Sequence, residues 1–131
     1  VTLPFPEENY HPKSPYDHIL ENKMRGLDTL ILLDIHADER RYMTAHEAID
    51  WLLTAENEWK EGLIDDKTIL CVASHVGCPD EKVFAGYPQD LLEMDLGEPL
   101  FSLILPGRLH FMEQYALVEF AGAPKEIIED E

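Results

Sequence analysis

The sequence predicts an α/β fold, a single domain with a mixed β-sheet of about four to five strands packed by helices. Three observations lead there. The 131 residues suit one domain of roughly 100 to 200 residues. Two apolar runs, residues 27–35 and 68–76, are too short for separate long helices and too apolar on both faces for edge strands. Between them a helix-start signal opens a stretch whose apolar residues recur at steps of three and four.

In chain order, Pro4, Pro6, Pro12 and Pro15 limit Thr2 to Phe5 to a short edge strand and Pro6 to Lys13 to a loop. Ser14 is the expected N-cap of a first helix, with Pro15 at its first position, Asp17 near its positive end and Gly26 as its stop. Leu27 to Ile35 reads as a central strand. Thr44-Ala45-His46-Glu47 has capping-box spacing, so a helix follows to about Lys60, closed by Gly62. Its stripe Ala45, Ala48, Ile49, Leu52, Leu53 and Trp59, interrupted by Glu56, faces a sheet.

Thr68 to Val76 is a second buried strand, Lys82 to Ala85 a short third, Pro88 to Met94 a brief helix and Leu100 to Leu105 a further strand. After the Pro106-Gly107 turn, a last helix is expected from about Arg108 to Phe120. Leu109, Met112, Ala116, Leu117 and Phe120 form one face, while Phe111, Tyr115 and Val118 make the opposite side apolar too. Both sides are therefore expected to be covered, and the surplus apolar surface calls for a missing domain or a second subunit. Four of the seven residues from Lys125 to Glu131 are acidic, and this tail is expected to fray.

The formal charge of -17 argues against nucleic acid, whose binding needs a positive field, and against an anionic membrane surface. No apolar run approaches the roughly 18 residues of a membrane span. Cys71 and Cys78 match neither a disulfide framework nor a zinc spacing, which points to a reducing cytoplasm. The start at Val1, without methionine or a signal-like segment, is expected of a piece of a longer protein.

Few residues suggest self-contained chemistry. Asp34, His36 and Asp38 alternate as a divalent-metal site would require, although a strand end running into a solvated loop gives the same pattern. His46-Glu47 lacks a second histidine four residues on, where Asp50 stands, and reads as part of a cap. No nucleophile elbow, Walker loop or dinucleotide fingerprint occurs. Cys71 lies in an apolar run and reads as a buried structural thiol. Glu113 sits beside the last apolar stripe, either partly buried with a shifted pKa or, as most such carboxylates do, facing solvent.

Seven segments carry more. Phe5-Pro6-Glu7-Glu8-Asn9-Tyr10, Ser14-Pro15-Tyr16-Asp17, Arg25-Gly26-Leu27-Asp28-Thr29-Leu30, Leu33-Asp34-Ile35, Arg41-Tyr42-Met43-Thr44-Ala45, Asp95-Leu96-Gly97-Glu98-Pro99-Leu100 and Pro106-Gly107-Arg108-Leu109-His110 resemble, in order and spacing, the diphthine synthases. That resemblance implies the tetrapyrrole-methylase class of S-adenosylmethionine-dependent methyltransferases, with two α/β lobes and the cofactor in the cleft between them. Residues 1–131 resemble the second, C-terminal lobe. The first lobe's glycine-rich loop has no counterpart here.

The reaction implied is methylation of the amino group on a modified histidine of translation elongation factor 2, in diphthamide biosynthesis, by a homodimer that needs no metal. Family cofactor contacts fall on Leu33, Val76 and Phe101. Phe101 replaces a family histidine, leaving only a stacking surface for adenine, and Ser74-His75 replaces Ala-Arg. The resemblance assigns no catalytic residue. The chain alone is expected to be inactive. The alternatives are an interaction module that lost cofactor binding and, from the residues alone, a metal-dependent hydrolase using Asp34, His36 and Asp38.

Overall fold

A computed structural model describes residues 1–5, 12–36 and 41–128. The strands are β1 (Thr2–Leu3), β2 (Thr29–Leu33), β3 (Ile35–His36), β4 (Arg41–Tyr42), β5 (Leu70–Ser74), β6 (Lys82–Gly86) and β7 (Phe101–Leu105). The helices are α1 (Ser14–Met24), α2 (Ala45–Trp59), α3 (Pro88–Leu92) and α4 (Phe111–Ala121), followed by a 3-10 turn at Lys125–Ile127. Five strands form one mixed sheet in the order β1-β2-β7-β5-β6. Only β1 runs parallel to its neighbour. The predicted α/β domain is thus the observed one.

The expected strand over residues 27–35 is divided. Asp34 ends β2, because its side chain accepts hydrogen bonds from the backbone N–H groups of Phe5 (3.2 Å) and Ile35 (2.9 Å). The chain then turns into the separate β3–β4 ribbon, where Ile35 pairs with Tyr42 and His36 with Arg41.

The helix caps also refine the expectations. Lys13, not Ser14, occupies the N-cap of α1, which begins at Ser14 itself. Thr44 and Glu47 form the expected capping box of α2, with Glu47 N–H donating to Thr44 Oγ1 at 3.1 Å and Thr44 N–H to Glu47 Oε1 at 3.2 Å. That helix ends at Lys60 in the left-handed region, φ 52°, before Gly62 is reached. His110 caps α4, moving its start three residues past the expected Arg108.

Side chains alternate across the strands, giving the sheet two unlike faces. One face carries Ile31, Leu103, Leu105, Leu70 and Val72, each at most 1% exposed, packed with Tyr16 and Ile19 of α1 and Ala48, Ile49 and Leu52 of α2. The Glu56 carboxylate ties these helices together. It accepts from the Tyr16 hydroxyl at 2.9 Å and from the Ile64 N–H at 3.0 Å, and the hydroxyl in turn accepts from the Glu61 N–H.

The opposite face is only partly covered. α4 lies over its β6 side, where Ile69, Cys71, Ala85, Ala121 and Ala123 form a second, smaller cluster. Leu30, Leu32 and Ile104 stay open to solvent, so the continuous apolar run of β2 is not buried on both faces as expected. The same holds for α4, whose Met112, Tyr115 and Phe120 are exposed, Phe120 at 86%. Gly107 closes the other end of the sheet against Leu27, where a Cβ would lie 2.5 Å from the Leu27 carbonyl oxygen.

Candidate functional site: one end of the sheet

Three neighbouring strands bring the sequence-predicted cofactor residues to one end of the sheet. Ser74 pairs with Phe101, and Leu32 with Ser102, so Leu33, Phe101 and Ser74 lie at the same level of β2, β7 and β5. Their side chains differ in access. Leu33 is half-buried against the main core, Phe101 is buried within it, and Val76, two residues beyond β5, is exposed. The Phe101 ring therefore packs inward beneath the edge, while Val76 stands open to solvent.

Two loops frame this edge and are fastened to each other. Ser74, itself buried, donates its hydroxyl to the Glu98 carbonyl at 2.8 Å, and the His75 N–H donates to the Leu100 carbonyl at 3.1 Å. The His75 ring places Nδ1 2.7 Å from Asp80 Oδ2 and Nε2 against the Pro99 carbonyl oxygen. Gly97 belongs to the same joint. It has φ +90°, and a Cβ there would stand 3.1 Å from Ser74 Oγ, so a side chain would meet both strain and crowding.

The other candidate residues take different roles. Asp34 uses its carboxylate as a backbone cap, and Asp38 lies outside the described residues. Among the described residues no three His, Cys, Asp or Glu side chains gather as metal ligands would. Cys71 is buried under α4, and burial pushes its thiol up to about 11, which suits packing rather than nucleophilic attack. Glu113 is solvent-exposed and accepts the His110 N–H at 3.0 Å as part of the α4 cap. His46 places Nε2 2.8 Å from the Met94 carbonyl, joining α2 to the chain after α3.

Several clefts lie away from the edge. One of about 750 Å³ is lined by residues that include Lys23, Lys67, Arg108 and Gln114. A second, of about 560 Å³, lies between α2 and the start of α3. Neither includes Leu33, Val76 or Phe101.

The chain is similar over most of its length to known proteins. The chain is 43% identical over 130 residues to a diphthine synthase of Methanosphaera stadtmanae, covering 99% of the chain and 49% of the relative. It is 49% identical over 119 residues to that of Methanocaldococcus jannaschii, covering 89% of the chain and 46% of the relative. A crystal structure of a putative diphthine synthase from Entamoeba histolytica matches with a TM-score of 0.86 at 32% identity, over 94% of this chain and 50% of that one. This chain is a diphthine synthase homologue.

It spans about half the length of the curated relatives it matches. No family model matches the chain. A second diphthine synthase structure superposes with a TM-score of 0.78 at 26% identity, over 98% of the chain and 47% of its counterpart. The relation to diphthine synthases was legible in the seven segments. The bonding of His75 was not, because the partner carbonyl at Pro99 lies 24 residues away. The five-residue separation of His75 and Asp80 is the local signal for the other half of the joint.

Proposed function

We propose that this chain is the C-terminal lobe, residues 1–131, of an S-adenosylmethionine-dependent methyltransferase that acts on the modified histidine of translation elongation factor 2. The observation carrying this reading is identity of 43 to 49% across 89 to 99% of the chain, matched to about half of each diphthine synthase. The sheet end is the cofactor-facing wall in this reading. Its residues fit one side of a cofactor: Val76 offers exposed apolar surface, and Leu33 closes the edge beside it. Phe101 lies beneath, packed into the main core.

The bound cofactor supplies an electrophilic methyl group for in-line displacement by an amine. What the lobe contributes is orientation and exclusion of water, effects that together are worth about 7 to 11 kcal/mol in a complete site. A wall without its opposite lobe holds neither reactant in line, so the chain alone is expected to be inactive. The test is transfer of a labelled methyl group to elongation factor 2 carrying the unmethylated side chain. Transfer is expected only when the chain is joined to a first lobe, and transfer by the chain alone would overturn the reading.

The enzyme is proposed to be cytoplasmic and homodimeric. Met112, Tyr115 and Phe120, exposed on α4, favour the dimer, since a second copy would cover them. Sedimentation of the chain is expected to show dimer at rising concentration; a monomer throughout would remove this part. A second reading, an interaction module without cofactor binding, is favoured by the burial of Phe101, which leaves no polar contact at that position.

A further inference from the structure

The two ring nitrogens of His75 both face groups that can only accept a hydrogen bond. Nδ1 is 2.7 Å from Asp80 Oδ2, and Nε2 is 2.5 Å from the Pro99 carbonyl oxygen. A neutral imidazole has one N–H and one lone pair, so it can satisfy only one of these partners, whereas the imidazolium satisfies both. The geometry is therefore that of a cation. It joins the loop after β5, which carries Val76, to the loop before β7, which leads into Phe101.

We propose that His75 is a positioning residue, a protonation-dependent clamp that sets the spacing of the two loops framing the cofactor-facing edge. The loop it holds is short and well defined: the His75 carbonyl accepts from the Cys78 N–H at 3.0 Å, and the Cys78 carbonyl from the Glu81 N–H at 3.0 Å. The backbone of His75 lies in the left-handed region at φ 53°, a conformation that turns its ring back toward Pro99. At the base of the clamp Ser74, the last residue of β5, is packed against Gly97 of the opposite loop, so the clamp closes onto a fixed base.

Charged groups approach from each side. Asp80 lies on the clamp's own loop, Glu98 on the loop before β7, and Lys82 at the start of β6. The hydrogen bond to Asp80, then that to Pro99, raise the His75 pKa above its ordinary value, with Asp80 and Glu98 adding attraction. The Asp80 carboxyl is held below its ordinary value, first by its hydrogen bond to His75 and then also by the charges of His75 and Lys82. Because the histidine is raised, its contribution is full below the unfolded value of about 6.5 and is lost as pH rises through the folded value. Because the aspartate is lowered, its contribution is present above about 3.9 and is lost as pH falls through its folded value. The clamp is closed in the window between.

The identity of His75 as a clamp does not depend on the chain being a methyltransferase, but its use at a cofactor edge rests on that reading. Imidazole C–H resonances of the whole chain, followed by NMR from pH 4 to 9, test the clamp alone. His75, assigned by its loss in His75→Asn, is expected to titrate above an ordinary histidine, with the backbone amides of Val76 and Phe101 shifting at the same midpoint. Asp80→Asn, at an exposed position, is expected to move that midpoint downward. His75→Arg, a permanent cation with several donors, is expected to keep the low-pH amide positions throughout. An ordinary or lowered midpoint, or amides that do not follow it, would overturn the clamp. Failure of the chain joined to a first lobe to bind S-adenosylmethionine, with the titration intact, would overturn only the cofactor reading.

Discussion

The two faces of the five-stranded sheet are built from the same kinds of side chain and end in opposite states. On one face, Leu103 and Val72 are wholly buried beneath α1 and α2, whereas on the other Leu30 and Leu32, one residue out of phase, are about half exposed. Burial of a leucine stabilises a fold by about 1.5 to 3 kcal/mol. The helix-covered face therefore holds the chain together, while the open face leaves its apolar area in contact with solvent. α4 covers only the β6 side, where its Leu117, Val118 and Ala121 pack with Ile69, Cys71 and Ala85 of the sheet side.

The sharpest way to break this contrast is substitution on each face. Leu103→Ala is expected to lower unfolding free energy by about 2 to 5 kcal/mol, because a cavity opens in the covered core. Leu30→Ala, on the same sheet, is expected to cost within about 0.5 kcal/mol in the monomer. Equal losses in urea denaturation would show that both faces support the fold alike.

Glu56 ties the covered face to pH. Burial would raise its carboxyl, but the hydrogen bonds from the Ile64 N–H, the Tyr16 hydroxyl and the Gly62 and Leu63 N–H groups together hold it below its ordinary value. Its contribution is present above the unfolded value of about 4.3 and is lost as pH falls through the lower folded value. Glu56→Gln is expected to cost about 1 to 3 kcal/mol at pH 7 and to flatten the stability change in that acidic range. Unchanged acid unfolding would contradict the assigned role.

The smallest effect concerns chemical access on the α4 side. Cys78 is exposed and Cys71 is covered by α4 with its thiol pushed up to about 11, so a thiol reagent at pH 8 is expected to label Cys78 first. Cys71 should follow only through opening of α4, at a free energy below that of global unfolding. Labelling of both at one rate would mean that α4 does not shield the sheet.

The sequence made the covered core legible because its signals are local. The apolar run around Val72, the Thr44–Glu47 box and the alternation of β7 each need only neighbouring residues. The open face was illegible for a related reason: Leu30 and Leu32 look like core residues whether or not anything lies over them. α4 is apolar on several sides, so its pattern could not choose which side would face the sheet, and the structure buries Gln114 and Ala121 while Met112 and Phe120 face out. The break at Asp34 and the His75 joint depend on hydrogen bonds to chain 24 to 29 residues distant, which no periodicity encodes. Leu33, Val76 and Phe101 came from resemblance, and their convergence became visible only through strand register.

We propose that this chain forms one wall of a two-lobed methyltransferase cleft. Calorimetric titration of S-adenosylmethionine into the chain alone, and into the chain joined to a diphthine synthase first lobe, tests it most directly. No heat of binding to the chain alone and saturable one-to-one binding to the joined form are predicted. Saturable binding by the chain alone, or none by the correctly folded joined form, would contradict a shared cleft.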